Sequence, residues 1–235
     1  MSTLLLRLAA PMQSWGLDKF ERRGTETTPT KSGVIGMLAA ALGRHRTGCD
    51  NMQDLLALRF GIRVERNGRL LKDFHTAKRG DSAYVTYRYY LSDAVFLAGL
   101  EGHNSFLDEI AQALQSPVFP LFLGRRSCPP EGKVFLKIAK NKTLLSALTE
   151  EPSILSDDIS DTSKRRIIID ADSNSNSSYL QRDVPLSFAQ THRKYGFRRV
   201  YEVQKDTLGH NLMQDLNEVE ASDEVLGTQI EVTDN

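Results

Sequence analysis

Cysteine is scarce: Cys49 and Cys128 are the only two in 235 residues. They lie far apart with no second thiol nearby, which excludes a disulfide framework and a cysteine-rich zinc site and leaves two plain thiols. No apolar run approaches the ~20 residues that span a bilayer. Leu4 to Leu6 run into Arg7 with no basic stretch ahead of them, unlike a secretory signal. A cytoplasmic protein without membrane contact is expected. There is no Walker spacing, no carboxylate pair, no Ser-His-Asp arrangement and no metal-ligand spacing, so neither a metal nor a cofactor is expected. Lysine and arginine are missing altogether from residues 206–235, which hold eight acids.

That last absence makes the formal net charge of zero misleading. The first 205 residues carry thirty bases against twenty-two acids, a net +8. A basic body with an acidic tail is an arrangement used by nucleic-acid binders, because Lys and Arg that displace condensed counterions supply sequence-independent affinity. A solvated basic face meeting an acidic protein partner is the alternative. In the tail, Leu208, Leu212, Met213, Leu216 and Val219 recur at near-helical spacing, so it reads either as a frayed amphipathic helix or as a solvated, disordered segment.

At 40% hydrophobic and 26% charged, the composition is that of a globular chain long enough to bury a real core. Leu4, Leu6 and Leu8 alternate with Leu5 and Arg7, the pattern of a half-buried strand that Pro11 stops. Val34, Leu38, Ala41 and Leu42 follow at helical spacing, with Thr30 or Ser32 as N-cap and Gly43 as the stop. A short helix over Asn51 to Leu58 comes next. Asn67-Gly68 between Phe60–Arg66 and Leu70–Phe74 predicts a hairpin with a type I′ turn. Apolar periodicity lapses over about 75–90, which reads as a projecting insertion. A strand (Leu91 to Leu100), a helix (Phe106 to Leu114, facing inward with Phe106, Ile110, Ala113 and Leu114) and a strand (Lys133 to Ala139) complete the series.

The order β-α-β-β-α-β predicts an α+β, ferredoxin-like domain over 1–139, with both helices on one face of an antiparallel sheet and the other face free. RNA-recognition modules lay bases on such a free face, although the fold hosts many functions. Residues 140–205, with strands at Arg165–Asp170 and Arg199–Val203, predict a small, mainly β lobe, and 206–235 an acidic tail.

Chemistry concentrates at five places. Lys31 and Ser32 stand at a helix start whose unpaired amides and dipole suit a phosphate, unless Ser32 only caps the helix. Gly124-Arg125-Arg126-Ser127 brings two guanidiniums beside a glycine, which suits a phosphate or a surface ion pair. Trp15 lies between Ser14 and Gly16, where it stacks on a base or plugs the sheet edge. His75 and Thr76, with Lys78 and Arg79 beyond, and His192 with Arg193, Lys194 and Tyr195, offer a general base among cations, as a metal-independent ribonuclease needs. Neither histidine has a specific spacing.

Pro11-Met12-Gln13-Ser14-Trp15-Gly16, Pro29-Thr30-Lys31-Ser32-Gly33, Asp73-Phe74-His75-Thr76, Tyr87-Arg88-Tyr89-Tyr90 before Ser92-Asp93-Ala94, and Leu123-Gly124-Arg125-Arg126-Ser127-Cys128-Pro129 together resemble the CasD family of RAMP-type proteins. The likeness spans about residues 3 to 139, with weaker echoes in Arg182 to Phe188. CasD subunits belong to the subtype I-E CRISPR surveillance complex, Cascade, and hold the 5′ handle of the guide RNA (crRNA). The resemblance implies a non-catalytic antiviral ribonucleoprotein subunit whose insertion acts as a thumb, packing on the adjacent backbone subunit and kinking the guide. It also implies contact with the large subunit that reads the protospacer-adjacent motif (PAM), and with target DNA only through the assembled complex. Lys31, Ser32, Arg125 and Arg126 are then expected on phosphates and Gln13, Trp15, His75 and Tyr87 near bases or at the bend, with Thr76, Lys78, Arg79, Arg88, Ser127 and Arg193 also expected to bind the RNA. Relatives of subtype I-C process repeat RNA, which would give His75 or His192 a catalytic role. The insertion is short for the family, and the tail is foreign to it.

Overall fold

A computed structural model describes residues 1–16, 22–45, 52–79, 82–155, 165–171, 178–188 and 193–203. Cys49, His192 and the acidic tail lie outside the described residues.

The ferredoxin-like core is built from β1 (Ser2–Ala9), α1 (Lys31–Ala41), β4 (Arg59–Arg66), β7 (Val95–Gly102), α3 (Asn104–Gln115) and β8 (Phe135–Ala139). Its strands lie in the order β4-β7-β1-β8, and every pairing is antiparallel. Thr30 caps α1 through its hydroxyl, which accepts from the Gly33 amide at 3.2 Å. At the other end Gly43 takes φ +75°, and the Val118 and Phe119 amides bond to the Ala41 and Ala40 carbonyls, so both helix ends are satisfied. α3 buries Leu107, Ile110, Ala111 and Leu114, so Ile110 and Leu114 face inward as predicted and Leu107 and Ala111 take the places expected for Phe106 and Ala113. Phe106 and Ala113 pack only partly. α2 is short, Gln53–Leu56, and anchors through Leu55.

Asn67-Gly68 does not close a hairpin. β4 pairs with β7, some thirty residues further on, in the register Ile62↔Ala98. Between them β5 (Arg69–Arg79) and β6 (Ser82–Ser92) form a long hairpin of their own, from Arg69↔Ser92 to Arg79↔Ser82. This hairpin belongs to a second sheet that also holds β2 (Met12–Gln13) and β3 (Arg22–Arg23). Gly68 is instead a point of close approach, where a Cβ would fall 2.9 Å from that of Ala94 and 3.0 Å from that of Leu91. The reason is burial: β4 is buried along nearly its whole length, so its partners had to be central strands, and the polar-edged β5 was excluded.

The second face of the main sheet is covered. α4 (Leu144–Glu150), capped by Thr143, lays Leu144, Ala147 and Leu148 against Leu5, Leu97, Ile167 and Ile169. β1 is therefore buried on both faces, and the expected free face for bases does not exist. Gly61 and Gly99 stand opposite each other in the ladder. A Cβ on Gly61 would lie 3.0 Å from Leu148 Cδ1, and one on Gly99 2.8 Å from Leu144 Cδ1. Paired glycines thus let the helix sit close.

Residues 140–205 do not make a sheet of their own. β9 (Ile167–Asp170) pairs with β4, β11 (Lys194–Glu202) with β9, and β10 (Ser178–Ser187) with β11, extending the main sheet to seven strands in the order β10-β11-β9-β4-β7-β1-β8. Two buried ion-pair networks fasten this extension. Arg63 and Glu65, with fully buried side chains on β4, join Arg165, and Arg63 also donates to the Leu148, Glu151 and Pro152 carbonyls at the end of α4. Burial pulls the Arg63 guanidinium down to about 10, so it is still charged at neutral pH. The second network, around Asp183, belongs to the site.

Candidate nucleic-acid interface

A cleft of about 500 Å³ opens where the β2 loop, the first turn of α1, the Gly124 loop and the start of β11 converge. Its cations are Arg23, Arg125 and Arg193; its hydroxyls Ser14, Thr30 and Ser32; its aromatic walls Phe122, Phe188 and Tyr195. Glycines shape it. Gly124 has φ +89°, and a Cβ there would fall 1.6 Å from the Ser14 carbonyl oxygen. This position excludes any side chain on both steric and backbone grounds. The Ser14 amide bonds to the Leu123 carbonyl at 3.1 Å, which holds the two loops together.

Gln13 and Trp15 build the floor, Trp15 lining the cleft and Gln13 lying behind it. Gln13 is fully buried; its amide donates to the Ala94 carbonyl at 2.7 Å, and its Oε1 accepts from Trp15 Nε1 at 3.0 Å. Trp15 is 1% exposed, packed so closely on α1 that a Cβ at Gly33 would lie 2.7 Å from its ring. Of the two roles open to Trp15, the plug is the one observed.

Lys31 is likewise spent. Its ammonium meets Asp170 at 3.0 Å, while its backbone amide, one of the free donors at the helix start, binds Asp183 Oδ2 at 2.8 Å. Asp183 is fully buried and also takes two bonds from Arg198, at 2.7 and 2.9 Å; Arg198 reaches Asp170 at 2.6 Å. Burial works against the Arg198 charge, but the bonds to Asp183 and Asp170 outweigh it and raise its pKa above the ordinary arginine range. A carboxylate of the chain itself therefore fills the anion position at α1, where the sequence suggests a phosphate. Ser32 remains on the cleft wall.

Arg125 is both a wall and a staple. Its guanidinium donates to the Arg23 carbonyl at 2.7 Å and the Tyr89 carbonyl at 3.3 Å and lies 4.8 Å from the Tyr90 ring centroid. It thereby ties the cleft to the root of the β5–β6 hairpin. Arg126 and Ser127 are exposed, and Arg126 has no ion-pair partner among the described residues. Burial pushes the Cys128 thiol up, against the Ser127 hydrogen bond.

The remaining predicted residues stand on the hairpin, away from the cleft. His75 Nε2 is 2.9 Å from Asp73 Oδ2, both side chains 45% exposed. Thr76 and Lys78 are exposed, and Arg79 ends β5. Lys72 Nζ sits 4.7 Å from the Tyr87 ring centroid. Arg88 is half-buried, its Nε without a hydrogen-bond partner among the described residues. Phe74 (66%), Tyr84 (50%) and Val85 (44%) leave the hairpin apolar and open to solvent. The sequence reading missed Arg23 and Phe122; the run Arg22-Arg23-Gly24 was the available signal. Among the described residues no group of three His, Cys, Asp or Glu could hold a metal ion, and no described helix is long and apolar enough to cross a membrane.

Comparison with known proteins decides among the folds that share this topology. The family model described as CRISPR-associated protein (Cas_Cas5) matches residues 3–201. The chain belongs to the Cas5 family. It resembles the CRISPR system Cascade subunit CasD of Escherichia coli (strain K12), at 36% identity over 157 residues, covering 57% of this chain and 70% of that one. Among solved structures, a chain of a CRISPR RNA-guided surveillance complex superposes with a TM-score of 0.71 at 32% identity, covering 86% of this chain and 89% of its own. A second, titled as a crystal structure of a Cas protein, gives 0.59 at 33% identity over 85% and 93%. The Cas5 match runs through β9, β10 and most of β11, so the sheet extension is part of the family domain.

Proposed function

We propose that this Cas5 protein is a non-catalytic subunit of a Cascade-type CRISPR surveillance complex that anchors the 5′ handle of the crRNA in the cleft. The cleft carries the reading: three arginines around Phe122, Phe188 and Tyr195 pair charge for phosphates with ring faces for unstacked bases, as single-stranded RNA requires. Arg126 and Ser127 extend the cationic rim. The β5–β6 hairpin, apolar on its surface, docks on the neighbouring backbone subunit and bends the guide. The large PAM-reading subunit is a further partner, and target DNA is met through the complex. Family membership and the name of the Escherichia coli relative support this assignment.

Arg23→Ala with Arg193→Ala is the direct test, since neither side chain takes part in the staple or the buried networks. Binding of labelled guide RNA is expected to weaken about 10- to 100-fold, with the log–log salt slope shallower by about 1.4 for two lost phosphate contacts. Unchanged affinity would remove the cleft from the RNA path. The His75–Asp73 pair favours a second reading, a metal-independent ribonuclease. Cleavage of repeat RNA in EDTA, lost in His75→Ala, would replace the anchoring role.

A further inference from the structure

β10 is the edge strand of the seven-stranded sheet, and with β11 it presents an open face. In the register Leu180↔Arg199 and Arg182↔Phe197, these four residues share one side of the ribbon in a checkerboard of apolar and cationic groups. Leu180 and Phe197 are each 64% exposed and are diagonal neighbours in this register, so they form one apolar patch and not two scattered residues. Arg182 and Arg199 are exposed, and neither has an ion-pair partner among the described residues. The side is the one α4 covers further along, because Ser178↔Tyr201 continues the same row and Tyr201 packs into the Leu5–Leu148 cluster.

We propose that the acidic C-terminal segment of this chain folds back onto this face and covers it. Three observations select that occupant over any other. Chain continuity allows it: β11 ends at Glu202, and Val203, four residues past Arg199, packs into the same cluster, so the segment begins on this side of the sheet. Charge complementarity follows, since residues 206–235 hold eight acids and no Lys or Arg, opposite two unpaired arginines. Composition is the third: the segment also carries five apolar side chains between 208 and 219, which suits the exposed Leu180 and Phe197. Its Leu208, Leu212, Met213, Leu216 and Val219 would meet Leu180 and Phe197, with its carboxylates toward Arg182 and Arg199. The tail is then a built-in cover for an apolar, cationic edge. The proposal does not depend on what the cleft binds.

Amide hydrogen exchange on the full chain at low ionic strength tests it, comparing wild type with Arg182→Glu/Arg199→Glu. Both sites are exposed, and an unchanged melting temperature confirms that the fold is kept. Peptides covering 208–219 are expected to exchange about tenfold more slowly in the wild type, and Glu218→Lys/Glu220→Lys added to the double variant restores the protection. Equal tail exchange in the wild type and the double variant, whether fast or slow, overturns the proposal and leaves the face open to another subunit.

Discussion

Arg63→Ala is expected to lose about 3–5 kcal/mol of folding free energy, read as a lower urea midpoint at unchanged slope. Arg63 is fully buried and has no water to fall back on. It neutralises Glu65 at 2.6 Å and supplies the donors for three carbonyls where α4 ends and the chain leaves it. Without it Glu65 keeps only Arg165, the buried Leu148 carbonyl is orphaned at a cost of about 1–3 kcal/mol, and the partly buried Glu151 and Pro152 carbonyls lose a donor. Arg63→Lys should recover only part of the loss, because an ammonium cannot span the carboxylate and three carbonyls at once. A loss below about 1 kcal/mol for Arg63→Ala would mean that α4 is held by its apolar face alone.

Asp183→Ala is expected to cost a similar ~3–5 kcal/mol and, unlike Arg63→Ala, to weaken the cleft as well. Asp183 joins the first turn of α1 to β10 and β11 through the Lys31 amide and Arg198. Its removal leaves one helix donor unmet and the buried Arg198 with Asp170 alone. Ser32 stands one residue beyond that helix donor, and Phe188 and Tyr195 lie on the segment that Arg198 helps to hold, so three cleft walls lose their support. Asp183→Asn keeps one of the two acceptor oxygens, loses the charge and turns an amide donor toward a donor of Arg198 or Lys31, so it should recover only part of the alanine loss. Calorimetry and RNA titration on the same samples would separate the two effects. Lost RNA affinity at wild-type stability would make Asp183 a ligand contact instead.

The core series of elements was legible because each strand and helix of the ferredoxin-like unit carries its own local signal: the alternation through Leu4–Leu8, the Thr30 cap, the Gly43 stop and the apolar stripe of α3. What depended on pairing was not. Asn67-Gly68 has the composition of a type I′ turn, yet pairing across it would have set a strand buried on both sides against the half-solvated β5. Burial of Ile62 and Val64 between β7 and β9 outweighed the local turn preference. α4 was overlooked although Leu144, Ala147 and Leu148 follow Thr143 at helical spacing, and that omission produced the expectation of a free sheet face. The two glycines that admit α4, Gly61 and Gly99, have meaning only in register with each other.

Of the site, the segments were legible and the roles were not. Ser14–Gly16, Ser32 and the Gly124-Arg125 loop do meet at one cleft. The partners of Lys31, Asp170 and Asp183, are about 140 and 150 residues away in sequence and give no local sign. The Gln13 amide is likewise taken, its donor by the distant Ala94 carbonyl and its oxygen by the neighbouring Trp15 ring. Arg23 and Phe122 enter the cleft only because the strand pairing of β3 with β6 and the Gly124 turn bring them there.

The central claim is tested most directly by fluorescence anisotropy of the full-length protein with mature guide RNA and with the same RNA lacking its 5′ handle, in EDTA at near-physiological salt, each RNA being checked for length afterwards. The account predicts binding at least about tenfold tighter when the handle is present, a difference of about 1.4 kcal/mol, with both RNAs recovered intact. Equal affinity for the two RNAs, or a defined cleavage product, would contradict it.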